Sequence, residues 1–210
     1  MIRDVLPRHV RCVFVTQAEA LGLGHAVLCA KPVVGNEPFA VLLPDDLIWS
    51  TGRGALGQMI DLAEKEKASV ISVQEVPPEQ TSSYGIVAAP NFTGRFGVIE
   101  QIVEKPKPEV APSNLAVVGR YVLSGDIFPI LEKTRGGAGG EIQLTDAISQ
   151  LLKQDKVLAY QFEGRRFDCG TRIGLIEATI RYALDHEKLS DAARGMMQNA
   201  LNELGVIDLD

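Results

Sequence analysis

Five consecutive apolar residues, Phe39 to Leu43, run without a polar break and stop at Pro44. A run this short is strand length, and without alternation it reads as a strand buried on both faces. Strands of that kind belong to sheets with helices packed on either side, an α/β arrangement. Two adjacent carboxylates, Asp45 and Asp46, follow the proline. Acid therefore stands at the mouth of the expected core.

The rest of the chain supports the same class. Residues 10–16 (VRCVFVT), 68–76 and 115–124 read as strands, and 22–31 as a glycine turn leading into a helix. A helix is expected over about 54–66. Residues 84–90 and 96–106 look like a hairpin pair, a β-rich insert in the α/β pattern. Beyond them come a helix near 141–154, a strand over 156–162 and helices over about 172–186 and 189–204. The first strand begins near residue 10, yet its surroundings suit the middle of a sheet, so βα units are expected upstream of it. The domain expectation is an incomplete catalytic domain over 1–186 and a helical tail over 187–210.

Composition closes off several function classes. With 46% hydrophobic and 23% charged residues the chain lies far from the disordered regime. A formal charge of −6 and the absence of a long basic run argue against a nucleic-acid partner. No stretch reaches the roughly 18 apolar residues of a membrane span, and the N-terminus lacks a signal-peptide core, so no membrane partner and a cytoplasmic location are expected. Cys12, Cys29 and Cys169 have no C-x-x-C spacing, which points to reduced thiols and packing roles. Cys169 would serve as a nucleophile only beside a base.

Candidate chemistry sits at strand ends and turns. Ligands of open α/β sheets gather outside the carboxyl ends of strands, where Asp45 could hold a divalent cation; a plain strand-to-turn junction is the simpler account of residues 38–49 alone. Asp168 follows a short extended stretch and precedes a helix start near Thr171, so it reads as a cap or turn residue, or as a distant partner of Asp45. Asp46 is expected to point elsewhere, and Asp46→Asn to matter less to metal binding than Asp45→Asn. Glu104 and Lys105 stand side by side before Pro106. Strand alternation would send them to opposite faces, but a bend at the proline would let both address one ligand; a solvated turn explains them equally. Gln17 offers a donor and an acceptor to the edge of a base, and Gly22 and Gly24 allow close backbone approach. That G-x-G lacks the third glycine of a dinucleotide fingerprint, which makes a nicotinamide-binding module the weakest option. His25 reads as a packed or capping residue.

Taken together, LGLGHAVLCAKPVVGNEPFAVLLPDD, SYGIV, VEKPKPEVAPSNLAVVGRYVLS, GAGGEIQLTDAI and FDCGTRIG closely resemble the bacterial UTP–glucose-1-phosphate uridylyltransferases over about residues 10–186. The resemblance implies a Rossmann-like nucleotide-diphospho-sugar transferase fold, a mixed sheet with helices on both faces. It implies that Gln17 and Gly22 read the uracil ring, that Asp45 and Asp168 bind Mg²⁺ and that Lys105 grips the sugar phosphate. Glu104 would bond glucose hydroxyls, Gly85 and Val117 would supply sugar-facing backbone, and Asn114, Glu141 and Asp146 would support them. The implied reaction joins UTP and glucose 1-phosphate into UDP-glucose and pyrophosphate, without a covalent protein intermediate.

Residues 1–16 depart from the family, whose first strand leads into a glycine-rich loop and a following Arg and Pro-Lys segment that wrap the triphosphate. Impaired turnover by the chain alone is therefore expected, with self-association or pairing with an N-terminal segment at the open sheet. The alternative is a non-catalytic nucleotide-sugar-binding or regulatory subunit that pairs with a complete relative.

Overall fold

The computed structural model describes residues 7, 9–137 and 140–205. Seven strands form one mixed sheet: β1 (Phe39–Leu42), β3 (Ser69–Glu75), β4 (Gly85–Ala88), β5 (Phe96–Val98), β6 (Gln101–Glu104), β7 (Leu115–Leu123) and β8 (Val157–Tyr160). Their spatial order is β5-β8-β3-β7-β4-β6, with β1 also on β7. β3 and β8 run parallel and the other pairs antiparallel. β2 (Asp46–Trp49) and β9 (Arg165–Asp168) form a separate two-stranded ribbon.

Helices cover both faces of the main sheet, as its two-sided burial requires. On one face lie α1 (Leu23–Cys29), α4 (Ile127–Leu131) and α5 (Leu144–Leu151). Their Val27, Phe128, Leu131, Ile148 and Leu151 pack with Ile71, Val87, Val117 and Leu123 of the sheet. The other face receives α3 (Ala55–Glu66), whose Met59 and Leu62 meet Val70, Val122 and Leu158. α3 buries Ala55, Met59 and Leu62, one stripe at helical spacing. It ends where Lys67 takes the left-handed conformation (φ 52) usual at a helix C-terminus. α2 (Lys31–Val34) is a short continuation of α1, begun around Pro32. α6 (Arg172–Asp185) lies against β9, and α7 (Ser190–Glu203) packs on α6. No helix among the described residues is long and apolar enough to cross a membrane.

Four sequence expectations are corrected here. Residues 10–16 form no strand: the segment pairs with no strand among the described residues, and Phe14 is 93% exposed. Its β-branched residues favour an extended chain, but a strand exists only where a neighbour takes its N–H and C=O groups. The run Phe39–Leu43 is not buried on both faces. β1 bonds β7 on one side, and its Ala40 and Leu42 are exposed. Residues 96–106 split, so that β6 pairs with β4 while β5 crosses to β8. The strand-to-turn junction expected over residues 38–49 instead continues into a second strand, Asp46–Trp49, of the ribbon.

β3 and β7 are the inner strands, and their pairing is interrupted once. Ile71 faces Tyr121 and Val73 faces Val117, so Ser72 stands opposite the three residues Val118, Gly119 and Arg120. A bulge of this kind leaves backbone groups without ladder partners. The fully buried Ser72 hydroxyl lies 3.0 Å from the Val118 carbonyl and 2.9 Å from that of Arg120, and donates to this pair. Ser72→Ala is expected to lower stability by about 1–3 kcal/mol, because it strands buried carbonyls. Urea unfolding monitored by circular dichroism checks this, and an unchanged midpoint would count against it.

Candidate active site

Asp45 and Asp168 are 123 positions apart, but the ribbon brings them together. Antiparallel pairing sets Asp46 opposite Asp168, and the Cys169 N–H donates to the Asp45 carbonyl at 2.7 Å. Gly170 forms the floor between the carboxylates. A Cβ there would stand 3.1 Å from Asp168 Oδ1 and 3.7 Å from Asp45 Oδ2, filling the space on which both close. The Gly170 N–H donates to Asp168 Oδ1 at 3.1 Å, while Thr171 caps α6 by accepting from the Gly174 N–H.

Two carboxylates over an open floor give hard oxygen donors of the kind Mg²⁺ takes one or two of, leaving room for phosphate oxygens and water. Among the described residues no group of three or more His, Cys, Asp or Glu side chains forms a metal cage. The residues therefore fit a cation shared with a phosphate ligand and not one held by the protein alone.

Asp46 points away from this floor into the protein and is buried. Its Oδ2 accepts from the Gly119 N–H at 2.6 Å, and its Oδ1 accepts from Arg166 Nε. Gly119 must lack a side chain here, since a Cβ would meet Asp46 Oδ2 at 2.6 Å and the Leu43 Cβ at 2.7 Å. Arg120, also buried, donates to the carbonyls of Leu43 (3.0 Å), Gly119 (2.7 Å) and Asp46. Burial pushes the Arg120 pKa down against the pull of Asp46. Burial also opposes the charge of Arg166, but its bonds to Tyr84 and Asp46 outweigh this and raise its pKa. Arg166 Nη1 donates to the Tyr84 hydroxyl at 3.4 Å, and its Nη2 lies 3.8 Å from Asp168 Oδ2. Removing one partner of a pair this buried typically costs about 3–5 kcal/mol, since the other charge is left uncompensated.

Tyr84 leads to the other half of the site. Gly85, next in sequence, faces Glu104 across the β4–β6 pair. The Thr145 hydroxyl donates to Glu104 Oε2 at 2.7 Å, and a Cβ on Gly85 would press on both groups at 3.3 and 3.4 Å. Lys105 leaves the strand in the left-handed region (φ 46), its N–H donating to the Tyr84 carbonyl at 2.9 Å. That dihedral brings two successive side chains together: Lys105 Nζ comes within 3.7 Å of Glu104 Oε1 and remains 58% exposed. The bend expected at Pro106 thus sits one residue earlier, in Lys105 itself. Tyr121, buried near Glu104, Asp46 and Asp45, has its pKa raised first by burial and then by these acids, and it stays a neutral phenol.

The remaining expected residues are engaged within the fold. Gln17 Nε2 donates to the Gly22 carbonyl at 3.1 Å and lies 2.9 Å from His25 Nδ1. Gly22 (φ 99) abuts Glu141 and Ile142, where a Cβ would meet atoms at 2.9 Å, so its lack of a side chain serves internal packing. Asn114 is exposed, and its carbonyl accepts from the Val76 N–H. Val117 is buried in the core. Glu141 accepts from the Gln143 amide, and Asp146 lies in the first turn of α5 beside Gly137. Part of the GAGG stretch, residues 138–139, falls outside the described residues. Cys169 Sγ lies 3.8 Å from the Phe167 carbonyl, a packing position.

Arg166, Tyr84 and Thr145 were not singled out from sequence. Arg166 carried one local signal: it precedes Asp168 by two positions, which on a strand places both on one face.

The scaffold and the paired acids define a class before any particular enzyme. The family model for nucleotidyl transferases matches residues 3–184, and the chain belongs to that family. Within it the similar proteins are bacterial UTP–glucose-1-phosphate uridylyltransferases. That of Haemophilus influenzae is 45% identical over 97% of this chain and 71% of its own length. The Bacillus subtilis and Pseudomonas aeruginosa proteins are 46% and 49% identical over 90% and 79% of this chain. The chain spans 65% and 60% of their lengths. A UDP-glucose pyrophosphorylase from Acinetobacter baumannii superposes with a TM-score of 0.85 at 42% identity, covering 95% of this chain and 69% of that one. Another, complexed with UDP-glucose, gives 0.79 at 44% identity, covering 83% and 66%. The expected mixed α/β nucleotidyltransferase fold is confirmed.

A left-handed lysine stores backbone strain of about 1 kcal/mol. Lys105→Gly is therefore expected to raise stability by about that much, while Lys105→Ala, which keeps the strained dihedral, does not. Equilibrium urea unfolding of the two variants distinguishes them, and equal midpoints would show that the dihedral carries no strain.

Proposed function

We propose that this chain carries a uridylyltransferase site that joins UTP and glucose 1-phosphate into UDP-glucose and pyrophosphate. The observation that supports it most is the convergence of Asp45 and Asp168 over Gly170, with Glu104 and Lys105 held nearby through Tyr84 and Arg166. Asp45 and Asp168 would hold Mg²⁺, which when bound neutralises phosphate charge. Lys105 binds the phosphate of the sugar, and Glu104, oriented by Thr145, accepts from sugar hydroxyls. Gly85 leaves room for the sugar ring, with Val117 and Asn114 behind it. Gln17, through the carbonyl oxygen its internal bonds leave over, and Gly22 address the uracil.

A phosphate oxygen of glucose 1-phosphate forms a bond to the α-phosphorus of UTP as the bond to the pyrophosphate oxygen breaks. The protein contributes alignment and fixed charge, so neither a nucleophilic cysteine nor a histidine base takes part. Free thiols at Cys12, Cys29 and Cys169 suit a cytoplasmic setting. The uncovered edge at β1, with Leu42 51% exposed, and the unpaired segment around Phe14 favour association with a second chain or a further polypeptide segment.

Calorimetric titration with UDP-glucose in the presence of Mg²⁺ tests the site. Saturable binding is expected, weakened at least about tenfold by Lys105→Ala, which removes a charge-assisted contact worth roughly 1.5–3 kcal/mol. Unchanged affinity in that variant would remove Lys105 from the site. Pyrophosphate release from UTP and glucose 1-phosphate identifies the reaction; binding without release would favour a nucleotide-sugar-binding subunit. Gly170→Ala, whose methyl group enters the space between the acids, is expected to weaken Mn²⁺ binding about tenfold or more while leaving the thermal midpoint within about 2 °C, because no buried contact is lost.

A further inference from the structure

Arg166 stands between two carboxylates and is shared unequally. Asp46 Oδ1 takes its Nε in a direct ion pair, with both side chains about nine-tenths buried. Asp168 Oδ2 stays 3.8 Å from its Nη2, beyond hydrogen-bond reach, and the Asp168 side chain is 39% exposed. Asp46 is fixed in turn by the Gly119 N–H at the β7 bulge, and the guanidinium is steadied from the far side by the Tyr84 hydroxyl and ring. A free Arg two residues from an Asp on one strand face would close on it as a direct pair. Here the guanidinium is drawn back.

We infer that Asp46 is a positioning residue that sequesters Arg166, so that the Asp168 carboxylate is oriented but left open to a divalent cation. This inference rests on the proposed cation role of Asp45 and Asp168. The buried pair sets a distance. At 3.8 Å the Arg166 charge steadies Asp168, while a direct pair would occupy the oxygen that a cation needs. Neutralising Asp46 frees the guanidinium to move onto Asp168 and compete with the metal.

The test reads metal affinity, not turnover. Mn²⁺ binding to the full chain, with and without UTP, is followed by electron paramagnetic resonance for the unsubstituted protein, Asp46→Asn, Arg166→Met and the double variant. Asp45→Asn serves as the reference for loss of a direct ligand. Asp46→Asn is expected to weaken Mn²⁺ binding about tenfold, in the range for partners of metal ligands, and less than Asp45→Asn does. Adding Arg166→Met to Asp46→Asn is expected to restore affinity to within about threefold of the unsubstituted chain, because the competitor is gone. A merely structural Asp46 predicts no such rescue.

Thermal midpoints measured alongside separate folding from binding. If Asp46→Asn alone does not fold, the double variant, which removes both charges of the Asp46–Arg166 pair, still decides. An affinity ten or more times weaker than that of the unsubstituted chain overturns the inference. So does an Asp46→Asn variant that folds and binds Mn²⁺ normally. Failure of the unsubstituted chain to bind Mn²⁺ under either condition overturns the cation site and this inference together, whereas normal binding that only Asp45→Asn weakens overturns the inference alone.

Discussion

The Asp46 carboxylate joins two sheets that no backbone ladder connects. One oxygen takes the Gly119 N–H of the main sheet and the other takes Arg166 of the β2–β9 ribbon. Beside that bridge stand the bond from Arg120 of β7 to the Asp46 carbonyl and apolar contacts such as Ile48 near Val118 and Phe162. Such contacts bury area but do not fix an angle, whereas hydrogen bonds to a buried charge are directional and costly to leave unmade. The Asp46 carboxylate, together with the Arg120 bond to the Asp46 carbonyl, holds the ribbon and so Asp168 against the main sheet. Gly119 faces the end of β1, where its carbonyl accepts from the Leu43 N–H, and past Pro44 its own N–H is taken by Asp46.

The strand ends and turn acids were legible because they depend on local pattern. An apolar run stopping at Pro44 and a short extended stretch before Asp168 gave the carboxyl ends of strands, and the helices α3, α6 and α7 followed from their periodicity. Placing Asp45 beside Asp168 required the resemblance, because nothing within either segment encodes a partner 123 residues away. The ribbon was missed for the same reason: Asp46 to Trp49 is four residues ending near Gly52 and Gly54, indistinguishable from a turn until β9 is set against it. Residues 10–16 failed in the opposite direction. Their composition is strongly β-forming, but pairing is a property of neighbours, and the described residues offer none.

Glycines show how one signal can carry different meanings. Gly22 and Gly24 suggested close approach to a ligand, and the structure spends that closeness on Ile142 and its neighbours. Gly119 and Gly170 carry no ligand signal in the sequence, although one admits the Asp46 carboxylate to the backbone and the other keeps the floor between Asp45 and Asp168 open. A missing Cβ announces that something comes near, and only the packing shows whether that is protein or an open space.

The charges near the site form an order from inside to outside. Two guanidiniums, the buried Arg120 and the largely buried Arg166, flank one buried carboxylate, Asp46, so the inner layer is net positive. Asp45 and Asp168 stand in front of it, toward solvent, with opposing charge behind them to offset their mutual repulsion. Such an arrangement sets two carboxylates side by side, the hard oxygen donors that a divalent cation takes. Lys105 lies on the other flank, largely exposed and held by its own backbone dihedral near Glu104. A ligand bringing both phosphate and sugar hydroxyls would find cation-binding oxygens on one side, an ammonium on the other and a fixed acceptor between. On the proposed reading that ordering, more than any one residue, would favour a phosphorylated sugar over a bare anion, because an anion alone would satisfy Lys105 and leave Glu104 without a donor.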